Sequence, residues 1–182
     1  GCIQCPRQAC RKKMRYLRAI EPEDLDLMYI VENDLAVCRY SSTNVPLSRY
    51  ALRRYIEESR GDLFADSQVR MAIMDADRGE ACGFLDITDL DARHRRAQVG
   101  IVLLPEAQGR GIAAGALDEA AMYARQQGVH QLYAIVASDN QRARNLFLHS
   151  SYTETALLPQ WLCIDGIYAD AVLSQLMLDN NK

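Results

Sequence analysis

Gln108-Gly109-Arg110-Gly111-Ile112-Ala113-Ala114 decides how the rest of this 182-residue chain is read. The stretch follows an apolar run, Val99-Gly100-Ile101-Val102-Leu103-Leu104, and opens a segment with helical spacing. It therefore reads as a strand, a glycine turn and the start of a helix. The first turn of a helix carries backbone N–H groups without intrahelical partners, and the helix dipole places partial positive charge there. Glycines let an anion approach such a turn because no Cβ stands in the way. Arg110 adds a charged fork. A glycine turn before a helix also occurs as a plain tight connection, so spacing has to separate the ligands. A P-loop needs Lys-Ser/Thr at the helix start, where this chain has Ile112-Ala113. A dinucleotide fingerprint needs Gly-x-Gly-x-x-Gly, which Gly109, Gly111 and Gly115 miss by one residue.

Working outward, residues 98–104 form a central strand. Residues 111–127 form a core-packed helix carrying Ile112, Ala116, Leu117, Ala120, Met122 and Ala124, stopped by Gly128. Residues 132–136 are a continuous apolar strand, expected to be buried on both faces. Residues 140–148 place Ala143, Leu146 and Phe147 at i, i+3 and i+4 of a helix. Residues 157–163 and 168–177 read as strands around Asp165-Gly166, a two-residue hairpin signal. Upstream, residues 69–74 and 81–87 are strands joined by a glycine-containing hairpin, and residues 89–96 a charged turn with Asp91 and Arg93 in solvent. Nearer the start, residues 15–20 form a short strand. Glu21-Pro22-Glu23-Asp24 then opens a helix, and Ser48 caps a second one that runs to Gly61 after a polar loop at residues 41–46. The order β-α-α-β-β-β-α-β-α-β-β describes one α/β (α+β) domain.

Composition fits that size: 49% hydrophobic and 25% charged residues are those of an ordinary globular protein with a full core. The formal charge is −3. Arg7, Arg11, Lys12 and Lys13 stand in the first 13 residues without an acid, so the body is more acidic than the total. An acidic body argues against a nucleic-acid groove and is compatible with a cationic substrate. No apolar run reaches the ~20 residues that cross a bilayer, so a soluble protein with no membrane partner is expected. Residues 1–13, with no signal-type apolar core, read as a flexible leader before Met14. Its Cys2, Cys5 and Cys10 lack the second half of a zinc site, and His94, His130 and His149 are dispersed, so no metal is expected. Cys82 and Cys163 lie in apolar strand patterns, which suits free thiols in a reducing compartment, the cytoplasm.

Gln108-Gly109-Arg110-Gly111-Ile112-Ala113 resembles the acetyl-CoA signature of the GNAT N-acetyltransferases, Gln/Arg-x-x-Gly-x-Gly/Ala. His94-Arg95-Arg96-Ala97 before the preceding strand, Pro105 after it and Asn140 after the next strand extend the likeness. From Met14 to about Leu178 the order of elements is similar to the branch containing spermidine N-acetyltransferases and ribosomal-protein alanine N-acetyltransferases. The resemblance implies one GNAT-like domain over residues 14–182, with a mixed, mostly antiparallel central sheet flanked by helices and with splayed central strands. It implies acetyl-CoA as co-substrate, its pantetheine arm lying between the strands against the main chain of Ile101, Val102 and Leu103. Gln108, Gly109, Arg110, Gly111, Ile112, Ala113 and Ala114 would hold the pyrophosphate. Asn140 would bond the pantetheine arm, and it reads equally as the cap of the last helix. The implied acceptor is a primary amine, either a small amine such as a polyamine or a protein N-terminus. Members of this fold often dimerise, so a homodimer or higher oligomer is expected.

Acetyl transfer needs a neutral amine, stabilisation of the thioester oxyanion, and a proton for the departing thiolate. A main-chain N–H around Leu103 suits the oxyanion. Asp86 and Asp89 are either bases acting through water or plain surface residues. The chain departs from the family in three places. Phe147 stands where the family carries a tyrosine acid, so it can pack against the thioester but donates nothing; Tyr152, Tyr133 or water are the substitutes. Ser151 replaces the glycine of a following Gly-Phe pair. No carboxylate falls between Ser41 and Tyr55 on the acceptor side, leaving Glu57, Glu58 or a partner subunit for a polyamine. The alternative to an enzyme is an acyl-CoA-binding module with weak or lost catalysis.

Overall fold

The computed structural model describes residues 14–38 and 45–178; the expected leader at residues 1–13 and the loop residues 41–44 lie outside them. In chain order the elements are β1 (Leu17–Ala19), a 3-10 turn (Pro22–Asp24), α1 (Leu25–Glu32), α2 (Leu35–Cys38), α3 (Arg49–Glu58), α4 (Leu63–Asp66), β2 (Val69–Asp75), β3 (Glu80–Asp91), β4 (Arg96–Leu103), α5 (Ile112–Gln126), β5 (Gln131–Ala137), α6 (Gln141–His149), β6 (Thr153–Ile164) and β7 (Ile167–Met177). The strands form one sheet in the order β1-β2-β3-β4-β5-β7-β6, with β4 in the middle. Every neighbouring pair is antiparallel except β4 and β5.

Residues of alternating parity along the strands face two helical layers. On one side α5 and α6 pack over Leu85, Ile87, Val99, Leu132 and Ala134. On the other, Met28 and Val31 of α1 and Leu52 of α3 cover Ala72 and Phe84. That second layer covers β2, β3 and the end of β4 at Val102, and its cluster includes no residue of β5. For this reason β5 is buried at Leu132, Ala134 and Val136 but only half-buried at Tyr133 and Ile135, in place of the two buried faces expected from its apolar run.

Other differences have local causes. Ser48 caps α3 by accepting from the Ala51 N–H, but the helix ends at Glu58, before Gly61, because Ser59 turns extended. The unexpected α4 is stabilised by Asp62, whose carboxylate accepts from the N–H groups of Phe64 and Ala65. β3 continues past Asp89 through a register shift between Thr88 and Asp91, with Asp89 at φ 52°. Asp91 is no free surface acid: it accepts from the N–H groups of Arg93 and His94 and pairs with Arg96 at 3.0 Å. Met122 is half-buried, and the residue of α5 that enters the core beside it is Glu119.

Glu119 explains how β1 is fixed. Its buried carboxylate accepts from the backbone N–H groups of Arg15 (2.6 Å), Tyr16 (2.9 Å) and Leu17 (2.9 Å), which ties the start of the sheet to α5. The Tyr16 ring lies so close to the helix that a Cβ at Gly115 would come within 2.4 Å of it. Together these contacts set the position of the N-terminal end of α5. A buried donor left without its acceptor costs roughly 1–3 kcal/mol. Glu119→Ala is therefore expected to lower the unfolding free energy by about 3 kcal/mol in urea titration, with Glu119→Gln between the two.

Candidate functional site

The parallel pairing of β4 with β5 covers only three residues of each strand, Arg96 to Gln98 against Gln131 to Tyr133. Beyond it, among the described residues, β5 pairs with no strand but β7, and β4 with no strand but β3. Hydrogen-bonding groups alternate between the two edges of a strand. The Leu104 N–H donates to Cys82 C=O (2.8 Å), so the even-numbered residues of β4, Val102 included, turn their main chain to β3. Ile101 and Leu103 turn theirs into the gap. Of the three main-chain positions expected along a pantetheine arm, Ile101 and Leu103 open into the gap and Val102 turns to β3.

The far end of the gap is the glycine turn. Gly109 (φ 74°) and Gly111 (φ 78°) both occupy the left-handed region that favours glycine. Gly111 is the cap of α5 and contributes no side chain, and the first helical bond runs from the Gly115 N–H to Gly111 C=O (3.1 Å). The N–H groups of Ile112, Ala113 and Ala114 precede that bond and have no intrahelical acceptor, the arrangement that binds phosphate.

The side chains of the turn divide the work differently from expectation. Gln108 donates through Nε2 to Leu103 C=O (3.1 Å), fastening the turn to the end of β4. Arg110 is turned away from the cradle: its guanidinium bonds Asp75 and Asp77 on the β2–β3 hairpin. The hydrogen bonds from Arg110 hold the Asp75 carboxyl below the usual carboxylate range. This link therefore persists at neutral pH and is lost only as pH falls through that depressed value. The cation that does reach the turn is one the sequence reading overlooked, Arg142 in the first turn of α6, whose Nη1 donates to Gln108 Oε1 (2.5 Å).

Asn140 caps α6, its side chain accepting from the Ala143 N–H (3.1 Å). Phe147 is buried and meets Tyr152 edge-on, ring centroids 5.0 Å apart. The Tyr152 hydroxyl is buried and bonds none of the described residues. Burial, and then the nearby Asp118 charge, push its ionisation well above the ordinary tyrosine range. Tyr152 is thus sealed in the core and offers its proton to no surface of the gap.

On the face covered by α1 and α3 a cavity of about 300 Å³ carries Glu32, Tyr55, Arg70 and Asp86 on a wall that also includes the polar Gln68 and Thr88 and apolar residues such as Met28 and Leu52. Arg70 is its organising group. Nε and Nη2 hold both oxygens of Asp86 (2.7 and 2.9 Å), Nη1 bonds Glu32, and the guanidinium lies near the rings of Tyr55 and Phe84. Burial works against the Arg70 charge, but the bonds and attraction to Asp86 and Glu32 outweigh it and hold the ionisation above its normal range. Burial likewise raises Tyr55 and keeps it neutral. Glu57 and Glu58 do not line this cavity, and Glu58 pairs with Arg54 on the exposed side of α3. Asp89 is exposed in the bulge. Glu32 and Arg70 were readable in part, since each is a charge at the inward-facing spacing of its element, but nothing in the sequence brings the two elements together.

Residues 15–151 match the acetyltransferase (GNAT) domain family. Spermidine N(1)-acetyltransferase of Escherichia coli (strain K12) is 28% identical over 161 residues, covering 86% of this chain and 82% of that protein. The Vibrio cholerae spermidine N(1)-acetyltransferase is 25% identical over 155 residues, covering 85% and 87%. A crystal structure of the Vibrio cholerae enzyme in complex with CoA and spermine has a similar fold, with a TM-score of 0.80 at 24% identity over 90% of this chain and 95% of that one. A dodecameric structure of the same enzyme gives 0.74 at 25% identity, over 89% and 92%. The match runs from β1 to the end of α6 and takes in the splayed strands, the glycine turn and the cavity, so this protein belongs to the GNAT acetyltransferase family, whose acyl donor is acetyl-CoA.

Proposed function

We propose that this enzyme acetylates one nitrogen of a polyamine or similar small diamine. The observation that carries the reading is the pair of carboxylates on the cavity wall, Glu32 and Asp86, both held by Arg70. A carboxylate attracts an ammonium about 4 Å away by about 4 kcal/mol at the effective dielectric of a protein surface, against about 1 in water. The relatives that acetylate spermidine support the same acceptor class.

The chemistry favours an acceptor with two amines over one with a single amine. A nitrogen bound to a carboxylate is held as ammonium, and an ammonium has no lone pair with which to attack. In the proposed complex the cavity keeps one nitrogen charged, while a second nitrogen farther along the chain loses its proton and attacks the thioester carbonyl in the β4–β5 gap. The Leu103 N–H, which faces the gap, stabilises the oxyanion. The tetrahedral intermediate collapses to amide and CoA thiolate. With Phe147 at the position expected of an acid, water protonates the thiolate, which is a tolerable leaving group without help.

The test is a thiol-release assay with acetyl-CoA against polyamines, monoamines, amino sugars and short peptides with free N-termini. Polyamines are expected to exceed a monoamine of equal length by about tenfold or more in kcat/KM, the worth of one partly desolvated ion pair. Equal rates for both, or a preference for peptides, would contradict the reading, as would tight acetyl-CoA binding without turnover on any amine.

The pH profile separates the proton steps. Since a free aliphatic amine has a pKa near ~10.4, kcat/KM for the acceptor is expected to rise about tenfold per pH unit between about pH 7 and 9 with no descending limb. Phe147→Tyr should add a fall at high pH and raise kcat. A wild-type profile that already bends down below pH 9 would mean that another protein group acts as the acid.

A further inference from the structure

Gly100 stands in the middle of β4, where glycine costs the strand conformational entropy and supplies no side chain to pack. Glycines in such places normally answer a demand of the fold. Gly109 and Gly111 have positive φ, and a Cβ at Gly83 or Gly115 would strike Val102 O at 2.1 Å or the Tyr16 ring at 2.4 Å. Gly100 answers neither demand. Its φ lies outside the positive region, and a Cβ built on it meets no atom of the described residues within 4 Å. What the glycine preserves is the space above it.

That space has an address. Gly100 is the cross-strand partner of Asp86, and Gln98 that of Thr88. Side chains of paired residues stand on the same side of a sheet about 4.5–5.5 Å apart, so the open position at Gly100 is beside the Asp86 and Thr88 wall of the cavity. On the other edge of β4 the pairing with β5 ends at Gln98 and Tyr133, two residues before Gly100. The space above Gly100 therefore lies between the charged cavity and the gap that receives the thioester.

We propose that Gly100 is a specificity-determining residue: its missing side chain forms the passage through which the unbranched aliphatic chain of the acceptor runs from the Glu32–Asp86 cavity to the acetyl group. The inference rests on the proposed amine acetylation and deepens it. Slim chains of methylene groups pass; a methyl or isopropyl group on β4 at this point occupies the same volume and excludes them. The passage serves the acceptor alone, because acetyl-CoA is held by the edge of β4 and the glycine turn.

The experiment compares wild type, Gly100→Ala and Gly100→Val, measuring acceptor KM on the best polyamine, acetyl-CoA affinity by calorimetry, and Tm. Gly100→Val is expected to raise the acceptor KM about ten- to a hundredfold, the range by which one or two misplaced methyl groups discriminate in a fitted site, with Gly100→Ala between it and wild type. Acetyl-CoA affinity should stay within about twofold, and Tm should equal or exceed that of wild type, since β-branched residues favour strands. A position that merely supports the fold would not show stability gained while the acceptor is lost. A valine variant with unchanged acceptor KM overturns the inference, as does a parallel loss of acetyl-CoA binding. If the alanine variant keeps its Tm and acceptor KM while the valine variant fails to fold, the inference is overturned as well. Wild-type silence toward every amine would instead sink the functional reading, and this inference with it.

Discussion

Backbone donors and acceptors within a sheet need partners, and beyond Gln98 one edge of β4 has no neighbouring strand to supply them, Leu103 C=O alone accepting from the Gln108 side chain. Ile101 and Leu103 present their main chain to a gap whose other wall, β5, has already departed to pair with β7. An extended ligand with amide groups can complete such an edge, each hydrogen bond contributing about 0.5–1.5 kcal/mol net. The rest of the structure serves that unpaired edge. The glycine turn closes one end with three unused N–H groups, and Gln108 pins the turn to Leu103. Glu119 fixes α5 to β1, so the helix that ends in the turn cannot drift.

Charge is arranged with comparable economy. Each cationic fork near the site is given a defined task by the acids around it. Arg110 is absorbed by Asp75 and Asp77 and braces the turn against the β2–β3 hairpin. Arg142 approaches the same turn from α6 and supplies the cation that Arg110 does not. Arg70 holds two carboxylates, Asp86 and Glu32, on the wall of the cavity. Phe147, at the position where the family resemblance implies a tyrosine acid, is buried edge-on against Tyr152 and has no proton to donate.

Much of this was legible in the sequence because it is local. The strand, glycine turn and helix at residues 99–126 follow from a few residues whose backbone demands are specific, and so do the Ser48 cap and the Asp165-Gly166 hairpin. What escaped reading depends on contacts distant in sequence. Arg70 and Glu32 are 38 residues apart and Gln108 and Arg142 34 apart, so neither pair leaves a spacing to detect. Glu119 leaves no mark in the sequence because its partners are backbone N–H groups, which have no sequence identity. The half-buried face of β5 could not be inferred from its apolar run, since exposure there is decided by where α1 and α3 stop. Gly100 passed as a strand residue because only the emptiness above it gives it meaning.

The most direct test of the central claim is residue-resolved amide hydrogen exchange by NMR, with and without CoA. If CoA completes the open edge of β4, the amides of Ile101 and Leu103 and those of Ile112, Ala113 and Ala114 should become strongly protected on binding, while Val102, already turned to β3, changes little. Protection spread evenly along β4, or confined to residues outside the gap and the turn, would contradict the account.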